Sequence, residues 1–238
     1  MYRRLVMILV LVTVLSISVG AVNATGEQSW HLLGSSSGGS EQDYAGTEAN
    51  DSTTHHKDFF MNKTGNAAGS YMQLPNVTEK TTWWYAEYPA QFDGVTFGED
   101  DWTAYIYHGK INENAGSDKT LWADVYKMKA DNSVVHLAGG TQIFSANDAA
   151  GTWTISCVDN LSTPQNFATG ERLAFRIKHN ADTTVRIYYY NATDKKYSNL
   201  TSPASDPGYP VPELNTLILF STGSIVLAGY VLLAKRKK

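Results

Sequence analysis

Cysteine is almost absent from this sequence: Cys157 is the one residue of its type among 238. A disulfide within the chain is therefore excluded, and the fold must be held by its apolar core. Trp153, Ile155 and Cys157 alternate with polar residues, which predicts that the thiol points inward and acts as a small apolar group. A catalytic thiol is the alternative reading.

Recognisable catalytic motifs are lacking as well. We find no phosphate-binding loop and no His-Glu-x-x-His pair. His55 and His56 are adjacent in a polar segment, where such pairs are usually solvated. The other histidines are scattered over predicted strands without the spacing of metal ligands: His31, His108, His136 and His179. These absences predict that the chain is not an enzyme.

An excess of positive charge is also missing from the central part of the chain. Six of the 19 basic residues lie at the two ends, which leaves 13 basic against 23 acidic residues and a net charge near −10. An acidic surface repels nucleic acid, so DNA or RNA binding is excluded as a main function.

The amino-terminal segment has the features of a signal peptide. Arg3 and Arg4 precede an apolar run from Leu5 to Leu15, and small residues at Val22 and Ala24 suit signal peptidase. Residues 1–24 are therefore predicted to be a signal peptide cleaved after Ala24, with an uncleaved membrane anchor as the alternative.

The carboxyl-terminal segment is predicted to enter a membrane. Residues 214–234 are uncharged and mostly apolar, and as a helix they reach about 30 Å, the thickness of a bilayer core. The basic residues 235–238 follow at once, and such clusters stay cytoplasmic. The folded part is then expected at the cell surface, tethered to the cytoplasmic membrane. A buried core helix is the alternative.

A proline-rich segment joins the predicted domain to this span. Residues 201–213 contain four prolines and are predicted to form an extended stalk. The stalk ends in Pro212, Glu213 and Leu214, which together with the span and the basic end resemble the sorting signals of archaeosortases and exosortases. The resemblance implies a membrane transpeptidase as partner, with a plain single-span anchor as the alternative.

The region between, residues 25–200, is predicted to be an all-β domain, a β-sandwich or jelly roll. Apolar residues occupy every second position in many short segments, and no segment has convincing helical periodicity. Clear examples are Leu173 to Ile177 and Val185 to Tyr189. Val134 to Leu137 and Gln142 to Phe144 are predicted as two separate strands, and Asp131 with Asn132 as a hairpin turn.

Six sequons support an extracellular location. In each, an asparagine has Ser or Thr two places on and no proline between: Asn50, Asn62, Asn76, Asn160, Asn191 and Asn199. This number favours N-glycosylation, with compositional accident in a threonine-rich chain as the alternative.

Two clusters suggest ligands. Carboxylates crowd one predicted loop and are candidate calcium ligands, with a solvated acidic turn as the alternative: Asp93, Glu99, Asp100 and Asp101. Aromatic residues on two predicted strands are candidates for stacking on sugar rings, although alternation sends at least half of them into the core: Trp83, Trp84, Tyr85 and Trp102.

Together these features predict a non-enzymatic structural or adhesive protein of the cell envelope. A carbohydrate-binding module is the first alternative. A secreted hydrolase is the second, and it requires two carboxylates that face one cleft.

Overall fold

The structure is a computed structural model that describes residues 26–34, 55–65, 71–74, 81–90, 93–111, 118–145, 147–159, 163–181, 184–189, 196–206 and 208–209. All of them belong to a compact unit, Thr25–Tyr209. The predicted signal peptide, sorting motif, membrane span and basic end lie outside the described residues, as do Asn50, Asn76, Asn160 and Asn191.

The described part of the chain is built from strands. It contains no helix, which confirms the all-β class, and so none that could span a bilayer. The strands are β1 (Ser29–Leu32), β2 (His55–Asn62), β3 (Tyr71–Leu74), β4 (Thr81–Ala86), β5 (Val95–Phe97), β6 (Trp102–His108), β7 (Lys119–Met128), β8 (Val134–Phe144), β9 (Gly151–Asp159), β10 (Gln165–Phe167), β11 (Arg172–His179), β12 (Val185–Tyr188) and β13 (Asn199–Thr201).

Nine of these strands form one closed, barrel-like sheet, which corrects the prediction of a sandwich or jelly roll. Their order is β13-β1-β2-β4-β11-β7-β8-β9-β6, and β13 pairs again with β6. The physical reason is that β13 uses both of its edges, since Leu200 pairs with Trp30 on one side and with Ala104 on the other. Closure removes the free edges that two stacked sheets would leave.

The remaining strands extend this ring. β12 contacts β6 beyond the end of β13, where Ile187 pairs with His108, and β3 pairs along β12. β5 and β10 form a separate two-stranded sheet. Apart from the parallel pair β2 and β4, the pairings are antiparallel.

Alternation places one set of side chains inside the ring. On β11, Leu173, Phe175 and Ile177 are fully buried in one continuous apolar core, as the period-two pattern predicts. Cys157 belongs to the same core and donates its Sγ–H to the Ala123 carbonyl at 3.4 Å. Full burial of each large apolar side chain contributes about 1.5–3 kcal/mol.

The predicted stalk is wrong over residues 201–206 and 208–209, which are part of the compact unit. Asp206 is buried and accepts hydrogen bonds from the backbone N–H groups of Gly208 and Tyr209. The Tyr209 ring packs between Trp30 and Phe97 in the core. These contacts outweigh the preference of a proline-rich segment for an extended, solvated conformation.

The long hairpin of β7 and β8 turns where the sequence predicts. Asn132 has a φ of 65°, in the left-handed region that asparagine tolerates, and the Asp131 carboxylate accepts the Ser133 N–H. β8 is one continuous strand, so the two predicted segments are joined. A bulge between Val125 and Tyr126 shifts the register of the pair.

Candidate functional site

The outer face of the ring carries two rows of side chains that cross four neighbouring strands. In the first row, Trp83 pairs with Arg176, Arg176 with Asp124, and Asp124 with Gly139. In the second row, Tyr85 pairs with Ala174, Ala174 with Tyr126, and Tyr126 with His136. Directly opposed side chains on one face of a sheet are close enough to interact.

Arg176 and Asp124 form the centre of the first row. Arg176 Nη2 donates to Asp124 Oδ2 at 2.7 Å, and its Nε donates to the same oxygen at 3.2 Å. The guanidinium also lies over the rings of Tyr126 and Trp83, 4.9 and 5.4 Å from their centroids. Cation–π contact and ion pairing therefore fix this cation from three sides.

His136 approaches the other oxygen of the same carboxylate. Its Nε2 lies 3.4 Å from Asp124 Oδ1, and its ring centroid lies 4.9 Å from that of Tyr126. The imidazole side chain is 39% exposed and the Asp124 side chain 11%. The carboxylate is thus sheltered while the imidazole is open to solvent.

The electrostatics of Asp124 favour its ionised form. Burial by itself opposes ionisation, but the hydrogen bonds and charges of His136 and Arg176 outweigh it and hold the pKa of the carboxyl below its ordinary value. Asp124 is therefore a carboxylate at neutral pH, able to accept a hydrogen bond from the imidazole and to orient it.

Gly139 makes room for this pair. A Cβ at this position would lie 2.8 Å from Asp124 Oδ1 and 3.0 Å from His136 Nε2. No larger residue fits unless the carboxylate or the imidazole moves. A sheltered carboxylate beside an exposed imidazole is an arrangement that can transfer protons.

The sequence pattern did not predict the pairing of Asp124 with His136. His136 appears in the sequence as one of four histidines without the spacing of metal ligands, and Asp124 is twelve positions away on another strand. The sequence did contain one signal for the site, the predicted hairpin turn at Asp131 and Asn132. In a hairpin, residues at similar distances before and after the turn lie opposite each other, which brings Asp124 and His136 onto neighbouring strands. The bulge near Tyr126, which determines which residues meet, leaves no mark in the sequence.

The sequence-based statement that catalytic motifs are lacking is wrong at one place, because residues 34–38 match Gly-x-Ser-x-Gly, the spacing around many hydrolase nucleophiles. Ser36 lies outside the described residues. Gly34 is described and packs against Tyr189, where a Cβ would lie 2.4 Å from the ring.

The aromatic residues proposed to stack on sugars present no open face. Trp83, Trp84 and Tyr85 have no exposed surface, and Trp102 is 3% exposed. Trp84 and Trp102 belong to the core inside the ring, while Trp83 and Tyr85 pack with Tyr126 in a separate outer cluster. A sugar cannot stack on any of these four rings in this fold.

The four predicted calcium ligands are exposed but do not converge. No group of three His, Cys, Asp or Glu side chains among the described residues has the geometry of a metal site. Asp93 lies before β5 and accepts the Thr169 N–H at 2.7 Å, whereas Glu99, Asp100 and Asp101 follow the strand. The strand separates the carboxylates that one ion would need together.

Two of the six sequons lie in described strands, and both side chains are engaged. Asn62 Nδ2 donates to Glu87 Oε2 at 2.9 Å. Asn199 is 7% exposed within β13, where a folded chain leaves no space for a glycan. Modification at Asn199 would have to precede folding and would disrupt the closure of the ring.

Cys157 is not a catalytic thiol. Burial raises its pKa to about 12, and the charge of Asp124 adds to the effect. The thiolate, which is the reactive form, is therefore not populated near neutral pH.

Comparison with known proteins gives a likeness in fold. No protein-family model and no curated protein sequence matches the chain. A CocE/NonD family hydrolase from Staphylococcus aureus matches with a TM-score of 0.50 and 11% identity, over 78% of this chain and 38% of the hydrolase. An aminopeptidase from the marine sediment archaeon Thaumarchaeota archaeon matches with a TM-score of 0.47 and 7% identity, over 74% and 36% of the two chains. This chain thus spans less than two fifths of either structure.

This likeness contradicts the prediction of a non-enzymatic structural or adhesive protein. That prediction treated a β-fold without catalytic motifs as a sign of a structural role, and the same fold occurs within a hydrolase. At 11% identity the likeness concerns the fold.

Proposed function

We propose that this chain takes part in the hydrolysis of an ester or amide bond, with Asp124 and His136 as its acid–base pair. The observation that carries the proposal is the half-exposed imidazole 3.4 Å from a sheltered carboxylate, which Arg176 keeps ionised. The fold shared with part of a hydrolase supports the same reaction class. The proposal concerns this pair alone, because the chain covers 38% of that hydrolase.

In the proposed reaction, His136 takes a proton from a water molecule as the water oxygen forms a bond to the carbonyl carbon of the substrate. The imidazolium then returns that proton to the leaving oxygen or nitrogen as the old bond breaks. Asp124 remains ionised throughout and stabilises the imidazolium by its charge. Acid–base catalysis of this kind contributes about 10²–10⁴ in rate.

The test measures initial hydrolysis rates of the purified chain on chromogenic esters and amino-acid anilides. His136→Gln keeps the size and polarity of the side chain but cannot act as the base, and a loss of about 100-fold is expected. Asp124→Asn is expected to lower the rate as well. Thr141→Ala, an exposed change on the same strand, is the matched control and should leave the rate unchanged.

Two results would oppose the proposal. Equal rates for wild type and His136→Gln would remove the pair from the reaction. Absence of hydrolysis of every ester and anilide would reject hydrolysis by this chain, provided that the purified protein unfolds cooperatively and is therefore folded at the start.

We also propose that the protein is exported and held at the cell surface by its carboxyl-terminal segment. The support lies in the sequence: the apolar run within residues 1–24, the motif at 212–214 and the basic residues 235–238. Mass spectrometry of protein from the native envelope reads both termini, any lipid and any glycans. A peptide that retains residues 217–238 would contradict sorting and leave a plain anchor.

A further inference from the structure

An open pocket lies on a different part of the molecule, where β3, β12 and the loops that flank β6 and β9 meet. Its volume is about 540 Å³, within the range of small-molecule sites. In the sheet order, β9 and β6 separate it from the strands that carry Asp124 and His136. Its lining includes Gln73, Gly109, Lys110, Thr184, Arg186 and Tyr188.

The charge of this pocket is opposite to that of the protein. Lys110 and Arg186 both line it, and none of its seven described lining residues is acidic. The central part of the chain carries a net charge near −10, so a site with two cations and no carboxylate among its described lining residues differs from the protein as a whole. Such a site attracts anions, because a nearby cation stabilises negative charge in a partly desolvated cleft.

Aromatic rings complete one side of the pocket. Tyr188 packs against Tyr71 and Tyr107, with ring centroids 5.5 and 5.3 Å apart. Arg186 lies 5.0 Å from the Tyr71 ring, and Lys196 lies 5.5 Å from the Tyr188 ring. Of the two cations that line the pocket, Arg186 is therefore held beside an aromatic surface that can contact the body of a ligand.

The floor of the pocket is shaped by Gly109. Its N–H donates to the Arg186 carbonyl at 2.9 Å, which joins the chain after β6 to β12. A Cβ on Gly109 would lie 3.1 Å from Arg186 Cβ and 3.6 Å from Tyr188 Cε2. The absence of a side chain at Gly109 lets the Cβ and Cδ of Arg186 lie directly against the backbone, and Arg186 is one of the residues that line the pocket.

We propose that this pocket binds a small organic carboxylate, with the carboxylate between Arg186 and Lys110 and the body of the ligand against Tyr188. Arginine suits this role because its planar group donates two parallel hydrogen bonds to a carboxylate. Gln73 and Thr184 supply neutral hydrogen-bonding groups at the rim. The carboxylate belongs either to an acidic sugar or to an amino acid or peptide.

Isothermal titration calorimetry on the full chain tests whether the pocket prefers a carboxylate, by comparing two acids with their neutral counterparts. The probes are galacturonate against methyl galactoside, and N-acetylphenylalanine against its amide. At least one acid is expected to bind about tenfold or more tightly than its neutral counterpart, since one charge-assisted hydrogen bond is worth that factor. The acid that binds identifies the source of the carboxylate.

Variants then locate the binding. Arg186→Gln and Lys110→Gln are each expected to weaken binding about tenfold, while Lys129→Gln, an exposed lysine in the β7–β8 turn, should not. Equal binding of acids and neutral counterparts, no binding of either acid at about 10 mM, or unchanged binding in Arg186→Gln would each overturn the proposal. His136→Gln is expected to keep full binding, so failure here and failure of the proposed hydrolysis are distinguishable.

Discussion

The inner and outer faces of the same strands differ in chemistry although both contain buried side chains. Inside the ring, Phe175 packs among other apolar groups. On the outer face, the next residue along the strand is Arg176, which lies against buried aromatic rings and donates hydrogen bonds to Asp124. The inner face stabilises the fold mainly through buried apolar contact, while on the outer face buried aromatic rings shelter an ion pair between Arg176 and Asp124.

The largest effect is expected from emptying the inner face. Phe175→Ala removes a fully buried ring and should lower the free energy of unfolding by about 3–5 kcal/mol, as a transfer loss and a cavity add. Val158→Ala is the matched surface control, because its side chain is 53% exposed, and it should change stability by about 0.5 kcal/mol or less. Urea unfolding measures both, and similar losses would mean that the described core is misassigned.

Two adjacent glycines on β8 sharpen the comparison. A Cβ on Gly140 would lie 2.2 Å from the Ser156 carbonyl oxygen, so Gly140→Ala must move backbone and should cost about 3 kcal/mol. Gly139→Ala meets only the ends of Asp124 and His136, so its cost to stability should be smaller, about 1 kcal/mol. For the same loss of stability, Gly139→Ala should lower the rate of the proposed hydrolysis more than Gly140→Ala does. The reverse order in urea unfolding would contradict this geometry.

Removing the outer charge should have an intermediate effect that depends on pH. Asp124→Asn leaves Arg176 without its anion and should cost about 2 kcal/mol at pH 7. Because the folded-state pKa of Asp124 lies below its unfolded value, its contribution is complete above about pH 4 and is lost as pH falls through the lowered pKa. The wild type and the variant should therefore converge in stability on acidification, and a constant difference down to about pH 2 would refute this assignment.

The smallest effect, with the opposite trend, is expected at Asp206. Burial raises the pKa of this carboxyl in spite of Lys63 at 4.0 Å, so the folded state holds its proton more tightly than the unfolded chain. Its contribution to stability is then greatest at low pH and declines as pH rises from about 4 through the raised pKa. Asp206→Asn keeps an acceptor for Gly208 and Tyr209, so it should stay within about 1 kcal/mol of wild type and gain relative to it as pH rises. Thermal unfolding of wild type, Asp206→Asn and Asp124→Asn across the pH range checks this. The stability of Asp206→Asn relative to wild type should rise with pH, whereas that of Asp124→Asn should fall.

The sequence predicted the inner face well and the outer face poorly. Period-two alternation depends on the strand itself, so the burial of Phe175 could be read from neighbouring residues. The burial of Trp83 depends on which strands lie beside β4, including a parallel contact with β2 that no local pattern reveals. Gly139 and Gly140 fall between the two strands that are predicted separately, whereas in the structure they lie within β8 and pack closely against the carboxylate of Asp124 and the carbonyl of Ser156.

The site shows the same division. Neither Asp124 nor His136 belongs to a recognisable sequence motif. The contact between their side chains depends on the bulge that shifts the hairpin register by one residue. A one-residue change in register turns side chains to the other face of a sheet. The charge sum over the chain likewise conceals the pocket of Lys110 and Arg186, because a local excess of cations disappears in an overall excess of acids.

The closure of the ring determines how the unit responds to pulling. Ser29, at the start of β1, pairs with Thr201, at the end of β13, so both ends of the ring leave from one point. Tension on the chain must first release the segment that holds Asp206 and Tyr209. It then acts across the strands at the Ser29–Thr201 pair, so the hydrogen bonds of β1 and β13 break one after another instead of sharing the load. The pairing of β1 with β13, which helps to close the ring around the core, is then also the place where mechanical force opens the ring.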